Sequence, residues 1–286
     1  MDVGVATPFS HRTPVAYISE AARFIEQAGF ASIWMPEHVL FFERYASRYP
    51  YSDDGRVPGE PDGLLDPFTA LTFIAAHTDR IRLGTGICLV PQRQPVYTAK
   101  MVADVDYLSD GRMEFGVGIG WLKEEFDSLQ MDFRTRATRC VEYIDAMKAL
   151  WTEEIVSFHG ETVTLDGCYF NPKPVQKPHP PIFFGGESDA ALNRVASHGD
   201  GWYGFDLDPA AAKARLQRLD EVLQEAGRDP AGVKRYIGPN RVRMTPQIFE
   251  EYRALGIDQI ILPLFATNVD DLQRRAERLA AIVEIA

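Results

Sequence analysis

Several apolar runs in this chain end on closely spaced glycines, which mark places where backbone can meet a ligand or another part of the protein. In Gly116-Val117-Gly118-Ile119-Gly120-Trp121, Gly118 and Gly120 leave bare main chain that the flat or charged part of a ligand can approach, and Ile119 lies between them. A dinucleotide fingerprint needs glycine at the sixth position; Trp121 stands there, and that reading fails. Phe184-Gly185-Gly186-Glu187-Ser188 leads into a helical pattern, and a helix start offers free N–H groups to an anion such as phosphate. Ser188 or Asp189 would also serve as a plain N-cap, but a cap needs neither Gly185 nor Gly186. Gly84 and Gly86 within Leu83-Gly84-Thr85-Gly86-Ile87-Cys88 mark a bulge or a close approach in a strand, with Cys88 read as a small buried hydrophobe. His38 follows Trp34-Met35-Pro36-Glu37, with a carboxylate beside it in sequence, and imidazole is the side chain best matched to proton transfer near neutral pH. The other five histidines share no metal spacing, so no metal site is expected.

These residues need elements to hold them, and the elements form one repeated unit. Strands are predicted at 3–6, 32–35, 81–87, 112–117, 182–184, 201–205, 235–238 and 259–262, alternating with helices at 14–28, 67–77, 96–108, 136–151, 190–198, 210–226, 246–255 and 270–283. The strands are continuous apolar runs, as in a parallel sheet covered on both faces. Eight such units point to an α/β fold closed into a (β/α)8 TIM barrel, one domain over residues 1–286, although an open doubly wound sheet shows the same alternation. Residues 39–66, 120–134 and 152–181, the last with a hairpin at 155–158 and 162–165, fall outside the alternation. They are expected as lids or pocket walls around the active-site face. Trp34, Trp121, Phe41, Phe42, Tyr45, Tyr49 and Tyr51 would shape an apolar pocket there, or pack within the insertion itself.

Lys plus Arg is 30 and Asp plus Glu is 41, a formal charge of −11, which argues against nucleic acid and anionic membranes as partners. Three scattered cysteines form neither a disulfide framework nor a metal spacing, and a reducing cytoplasm suits them. The first residues carry no basic or long apolar stretch, so no export signal is expected there, and no apolar run approaches bilayer length.

The string Gly29-Phe30-Ala31-Ser32-Ile33-Trp34, followed by Glu37-His38, resembles the luciferase-like monooxygenase superfamily. So do Arg80 to Gly86, Leu108-Ser109-Asp110-Gly111-Arg112, the glycine string at 116–121 and Gly185 to Ser188; together these span most of the chain. The segment Gly-x-Gly-x-Gly-Trp-Leu-Lys-Glu-Glu-Phe at 116–126 is similar to the coenzyme F420-dependent oxidoreductases of actinobacteria. The resemblance implies a barrel that holds a flavin or deazaflavin at the C-terminal ends of its strands. It also implies a non-proline cis peptide at Gly86–Ile87 behind the ring, and a phosphate site at Gly185, Gly186, Glu187 and Ser188. His38 matches a ring-facing position used in proton transfer. Sugar-phosphate dehydrogenases of the family carry Glu where Trp121 stands, so a substrate of that class is not expected.

The function these readings support is hydride transfer between coenzyme F420 and a small organic substrate, with His38 moving the proton. The alternatives are an FMN-dependent luciferase-like monooxygenase, a non-catalytic flavin-binding barrel, and an aldolase or isomerase with a phosphate handle. The last would want a lysine or carboxylate at a strand end, and Lys100, Lys123 and Lys148 fall in helices or loops. Because the protein is acidic, local groups must hold the anionic cofactor; Arg93, Lys123, Lys173 and Lys177 are the cations expected near the mouth. A homodimer through exposed barrel helices is the expected assembly.

Overall fold

Helix after helix in this chain opens on a proline next to a capping side chain. Asp66 accepts from the Thr69 N–H, Gln94 from Tyr97, Asp208 from Ala211 and Thr245 from Ile248, each just before a proline at the first helical position. A computed structural model describes residues 1–58, 63–266 and 268–283. In chain order the elements are β1 (Asp2–Ala6), α1 (Val15–Gln27), β2 (Ser32–Met35), α2 (Pro67–Ala75), β3 (Arg82–Thr85), β4 (Cys88–Leu89), α3 (Pro95–Leu108), β5 (Met113–Gly118), α4 (Lys123–Ser128) and α5 (Arg136–Thr152). Then follow β6 (Val156–His159), β7 (Thr164–Cys168), β8 (Ile182–Gly185), α6 (Asp189–His198), β9 (Gly201–Phe205), α7 (Pro209–Glu225), β10 (Lys234–Gly238), α8 (Pro246–Ala254), β11 (Gln259–Pro263) and α9 (Val269–Val283).

Eight parallel strands close into a ring in the order β3-β2-β1-β11-β10-β9-β8-β5, with β5 pairing back onto β3 through Leu83–Met113 and Gly84–Glu114. The open sheet is thereby excluded and the (β/α)8 barrel is the fold. The strand predicted at 81–87 stops at Thr85, passes the cis Gly86–Ile87 peptide, and resumes as β4, which pairs with the far end of β5.

The barrel interior is filled by Trp34, Phe183, Tyr203, Tyr236 and Ile261. Trp34 is fully buried there, its ring edge-on to Phe183 and Tyr236, and glycines make its space. A Cβ on Gly84 would lie 2.3 Å from the indole, and one on Gly116 would lie 2.0 Å from the Thr85 carbonyl oxygen. The expectation that Trp34 walls a substrate pocket therefore changes: it packs the barrel beneath the mouth.

The third insertion is also corrected. Residues 152–181 join a helix to a strand, so they lie at the end of the barrel opposite the strand-to-helix loops. The expected hairpin forms as antiparallel β6–β7. Lys173 donates to the carbonyls of Leu150 and Glu153 at the end of α5, and Gln176 binds Asp106 and the Met113 carbonyl. Lys173 and Lys177, which donates to Pro174 O, thus leave the list of mouth cations. The first two insertions do follow strands; residues 59–62 of the first lie outside the described residues, and the second contains the unforeseen helix α4. No helix among the described residues is long and apolar enough to cross a membrane.

At the strand starts, Glu114 is buried, accepts from the Tyr236 hydroxyl at 2.8 Å and lies 3.1 Å from Arg82. Burial pushes its carboxyl up to about 7, only partly offset by Arg82 and Tyr236. A carboxyl raised in the folded state is still protonated there when the unfolded chain has lost its proton. Wild-type stability should therefore fall as pH rises from about 4.5 to about 7. Glu114→Gln removes that proton, so the melting temperature of the variant relative to wild type should climb across this window and level off above it. A difference independent of pH would contradict the assignment.

Candidate active site

The site is built around a carboxylate that the sequence reading did not single out. Glu125, in the first turn of α4, has a side chain with no exposed surface. It accepts from His38 Nδ1 at 3.0 Å, the Val39 N–H at 2.7 Å, the Leu40 N–H at 3.0 Å and Gln92 Nε2 at 3.0 Å. Burial acts to raise its carboxyl, but the hydrogen bond from His38, its charge when the imidazole is protonated, and the Leu40 and Gln92 donors outweigh burial and hold it below the ordinary carboxylate range. Glu125 stands within the glycine string's continuation, Gly120-Trp121-Leu122-Lys123-Glu124-Glu125; its burial was the missing signal.

His38 is 14% exposed, packs its ring on Phe41 and Trp121, and receives the Trp121 indole N–H at Nε2, 3.3 Å away. An indole N–H only donates, so Nε2 is the accepting nitrogen and Nδ1 carries the hydrogen given to Glu125. When neutral, His38 is thus held as the Nδ1–H tautomer, with its Nε2 lone pair taken by the Trp121 indole N–H. Glu37, the carboxylate adjacent in sequence, points elsewhere: it accepts from Leu89 N–H and pairs with Arg93, which also pairs with Asp66.

From His38 an aromatic series crosses the mouth. Trp121 packs on Tyr45 and Tyr49, Tyr49 on Tyr51, and Tyr51 on Phe205 at 4.8 Å, all edge to face. Phe42 takes no part in it. Glu124 fastens the near end of this insertion by accepting from Ala46 N–H, Ser47 N–H and the Ser47 hydroxyl.

On the other rim, Ser188 caps α6 by accepting from Ala191 N–H, and the N–H groups of Asp189 and Ala190 are left without intrahelical partners. Gly186 has φ +104°, which favours glycine, and its carbonyl accepts from Trp202 Nε1. Glu187 turns its carboxylate away from the helix end, to the Phe205 N–H at 2.8 Å and the Tyr51 hydroxyl at 3.0 Å. Burial, with Asp206 nearby, raises its carboxyl despite those two donors. Gly118 and Gly185 face each other across Ile87: added Cβ atoms would lie 2.1 and 2.7 Å from Ile87 Cδ1. The room that the sequence reading gave to a ligand at Gly118 is filled by Ile87. Gly120 has φ +76° and Phe126 close by, while Ile119 packs against the core.

Of the expected mouth cations, Arg93 is spent on Glu37 and Asp66, and Lys123 on Asp127. Two others were missed. Arg136 opens α5, reaching the carbonyls of Gly120 and Phe133, and Arg194 lies on α6. Among the described residues neither has a carboxylate in ion-pairing range, and Arg194 Nε is buried without a hydrogen-bond partner. Burial lowers the basicity of both guanidiniums, and Arg194 lowers that of Arg136 further. Arg194 is close enough to Arg136 to repel it, and two such guanidiniums without a carboxylate can accept an anion. Arg194 stands on the helix that follows the Gly185–Ser188 loop, and Arg136 opens the second helix after the 116–121 string. No group of three or more His, Cys, Asp or Glu that could hold a metal occurs among the described residues.

A family model described as luciferase-like monooxygenase matches residues 1–281. An uncharacterized protein of Mycobacterium tuberculosis is 32% identical over 271 residues, 94% of this chain and 93% of that protein. The FMNH(2)-dependent dimethylsulfone monooxygenase of Pseudomonas putida is 29% identical over 244 residues, 84% of this chain and 61% of that one. Among solved structures, an F420-dependent secondary alcohol dehydrogenase in complex with an F420-acetone adduct superposes with a TM-score of 0.76 at 17% identity, covering 99% of this chain and 98% of the other. At that identity the likeness speaks for the barrel alone.

The unpaired arginines make a prediction that needs no cofactor. Inorganic phosphate should raise the melting temperature of the wild type, and Arg194→Ala should lose at least half of the rise; at about a hundredfold excess over Kd the full effect corresponds to roughly 2.7 kcal/mol. An undiminished rise in the variant would remove Arg194 from anion binding.

Proposed function

Since the chain belongs to the luciferase-like monooxygenase family, we propose that it is an oxidoreductase that couples hydride exchange with a deazaflavin, coenzyme F420, to proton exchange at His38 of a small organic substrate. The observation that carries this reading is the Glu125–His38–Trp121 chain, a buried carboxylate that fixes the tautomer of an imidazole at the barrel mouth. A reaction that moves one proton with each hydride needs such a group, and the dyad follows the logic by which a carboxylate orients a catalytic histidine.

The residues present suit the cofactor. The first-turn N–H groups of α6 after Gly185, Gly186, Glu187 and Ser188, with Arg136 and Arg194, would hold its phosphate, as the orphaned Arg194 Nε suggests. Gly86, Ile87 and Gly120 would line its ring, whereas Gly118, whose space Ile87 fills, and Ile119, packed on the core, would lie behind it. When bound, the deazaflavin supplies or accepts a hydride at its C5. His38 Nε2 takes the substrate hydroxyl proton when that oxygen displaces the Trp121 N–H, and Glu125 balances the charge that forms on the imidazole. In the reverse direction His38 returns the proton. The aromatic series over the mouth excludes water from this exchange.

The likeness to the FMNH(2)-dependent monooxygenase supports a second reading, in which reduced FMN and oxygen act at the same mouth. A titration separates the two: deazaflavin fluorescence should be quenched on tight binding while FMN binds weakly. Micromolar FMN affinity without deazaflavin binding would reject the first reading and favour the second. Within the first, His38→Ala should lower kcat by about 100-fold or more with cofactor affinity unchanged. Glu125→Gln should lower kcat and displace its pH profile while leaving KM nearly constant. Unchanged turnover in His38→Ala would take His38 out of the mechanism.

A further inference from the structure

The insertion after β2 makes its farthest contacts on the opposite side of the barrel. Around the ring, three strands separate β2 from β9 in either direction, so the two are diametrically opposed. Tyr51 nevertheless packs on Phe205 at the end of β9, and its hydroxyl donates to Glu187 Oε2 just beyond β8. The described part of the insertion therefore spans the mouth.

Its two ends are held very differently. At the near rim, Glu124 and Glu125 together accept four of its backbone N–H groups, at Val39, Leu40, Ala46 and Ser47. At the far rim, the polar ties given by the structure are the Tyr51 hydroxyl on Glu187 and an ion pair between Asp53 and Arg241 at 3.7 Å. Asp53 is fully exposed and Arg241 is half exposed, and such a pair adds little. Among the described residues, the far end thus depends on one hydrogen bond to a half-buried carboxylate and one ring contact.

Glu187 belongs to the glycine loop before α6. Its Oε1 is fixed by the Phe205 N–H and its Oε2 receives Tyr51, while its backbone belongs to the segment that opens the helix. A phosphate on the loop and Tyr51 on the lid would engage the same residue from its main-chain and side-chain ends. Resting on the function proposed above, we infer that Tyr51 and Glu187 are the latch of an aromatic lid, and that filling of the 185–188 loop by the cofactor's phosphate sets this latch. Glu187, which the family resemblance assigns to the phosphate, then serves through its side chain as a positioning residue for the lid. Binding at the loop and closure of the lid strengthen each other by the same factor. The cofactor enters first, and the substrate is enclosed after it.

Amide hydrogen exchange of residues 39–58, read with and without F420 or FMN, tests this together with the cofactor dissociation rate. In the wild type the bound cofactor should slow exchange of the lid by roughly tenfold or more, the scale of a hydrogen bond to a charged group. Tyr51→Phe keeps the ring on Phe205 and so preserves packing; it should abolish that slowing and speed cofactor release by a similar factor. Equal protection and equal release in Tyr51→Phe and wild type would overturn the latch. If the wild type binds neither cofactor, the functional reading fails, and the latch is decided with inorganic phosphate: slowed lid exchange in wild type but not in Tyr51→Phe upholds it, and no slowing in either overturns it.

Discussion

One buried carboxylate organises the mouth of this barrel. Glu125 collects an imidazole, two backbone N–H groups and a carboxamide, from the β2 exit and from the segment after β4. A buried charge without donors would be costly, and four donors make this one stable as an anion. The same contacts turn the chain after β2 onto the rim, set the His38 tautomer and anchor the root of the aromatic insertion. Glu124, its neighbour, ties the next stretch of that insertion. A six-residue helix in a loop thus decides where the reactive nitrogen points and where the lid begins.

The same economy answers the difficulty posed by the net charge of −11. Carboxylates crowd the strand ends, but each of those at the site is already satisfied. Glu37 is held by Arg93 and Leu89, Glu187 by Tyr51 and Phe205, and Asp206 by Arg241. What remains without a carboxylate partner there, among the described residues, is positive: the guanidiniums of Arg136 and Arg194. An acidic protein can present an anion site when local dipoles and a few unpaired guanidiniums outweigh its overall field at short range.

Much of the scaffold was legible in the sequence because parallel strands covered on both faces are written as uninterrupted apolar runs. Their alternation with helical patterns predicts the barrel, and the β6–β7 hairpin shows in its own pattern. The glycine strings were legible as places of close approach, though not as to what approaches: Trp34 and Ile87 occupy most of that space. Sequence adjacency misled at His38, where the neighbouring Glu37 turns to Arg93 and the orienting carboxylate comes from 87 positions away. Lys173 and Lys177 misled for a topological reason, since a helix-to-strand connection belongs to the other end of the barrel. Glu125, Arg136 and Arg194 look in sequence like ordinary surface charges of helices; only burial and the absence of a partner separate them from their neighbours.

The central claim is that Glu125 holds neutral His38 with its hydrogen on Nδ1 and its lone pair on Nε2. A long-range 1H–15N correlation spectrum of the histidine side chains reads this directly. The account predicts a protonated Nδ1 and a bare Nε2 for His38, with that preference weakened in Glu125→Gln, whose carboxamide can offer N–H as well as C=O. A His38 resonance pattern with the hydrogen on Nε2 in the wild type would contradict it.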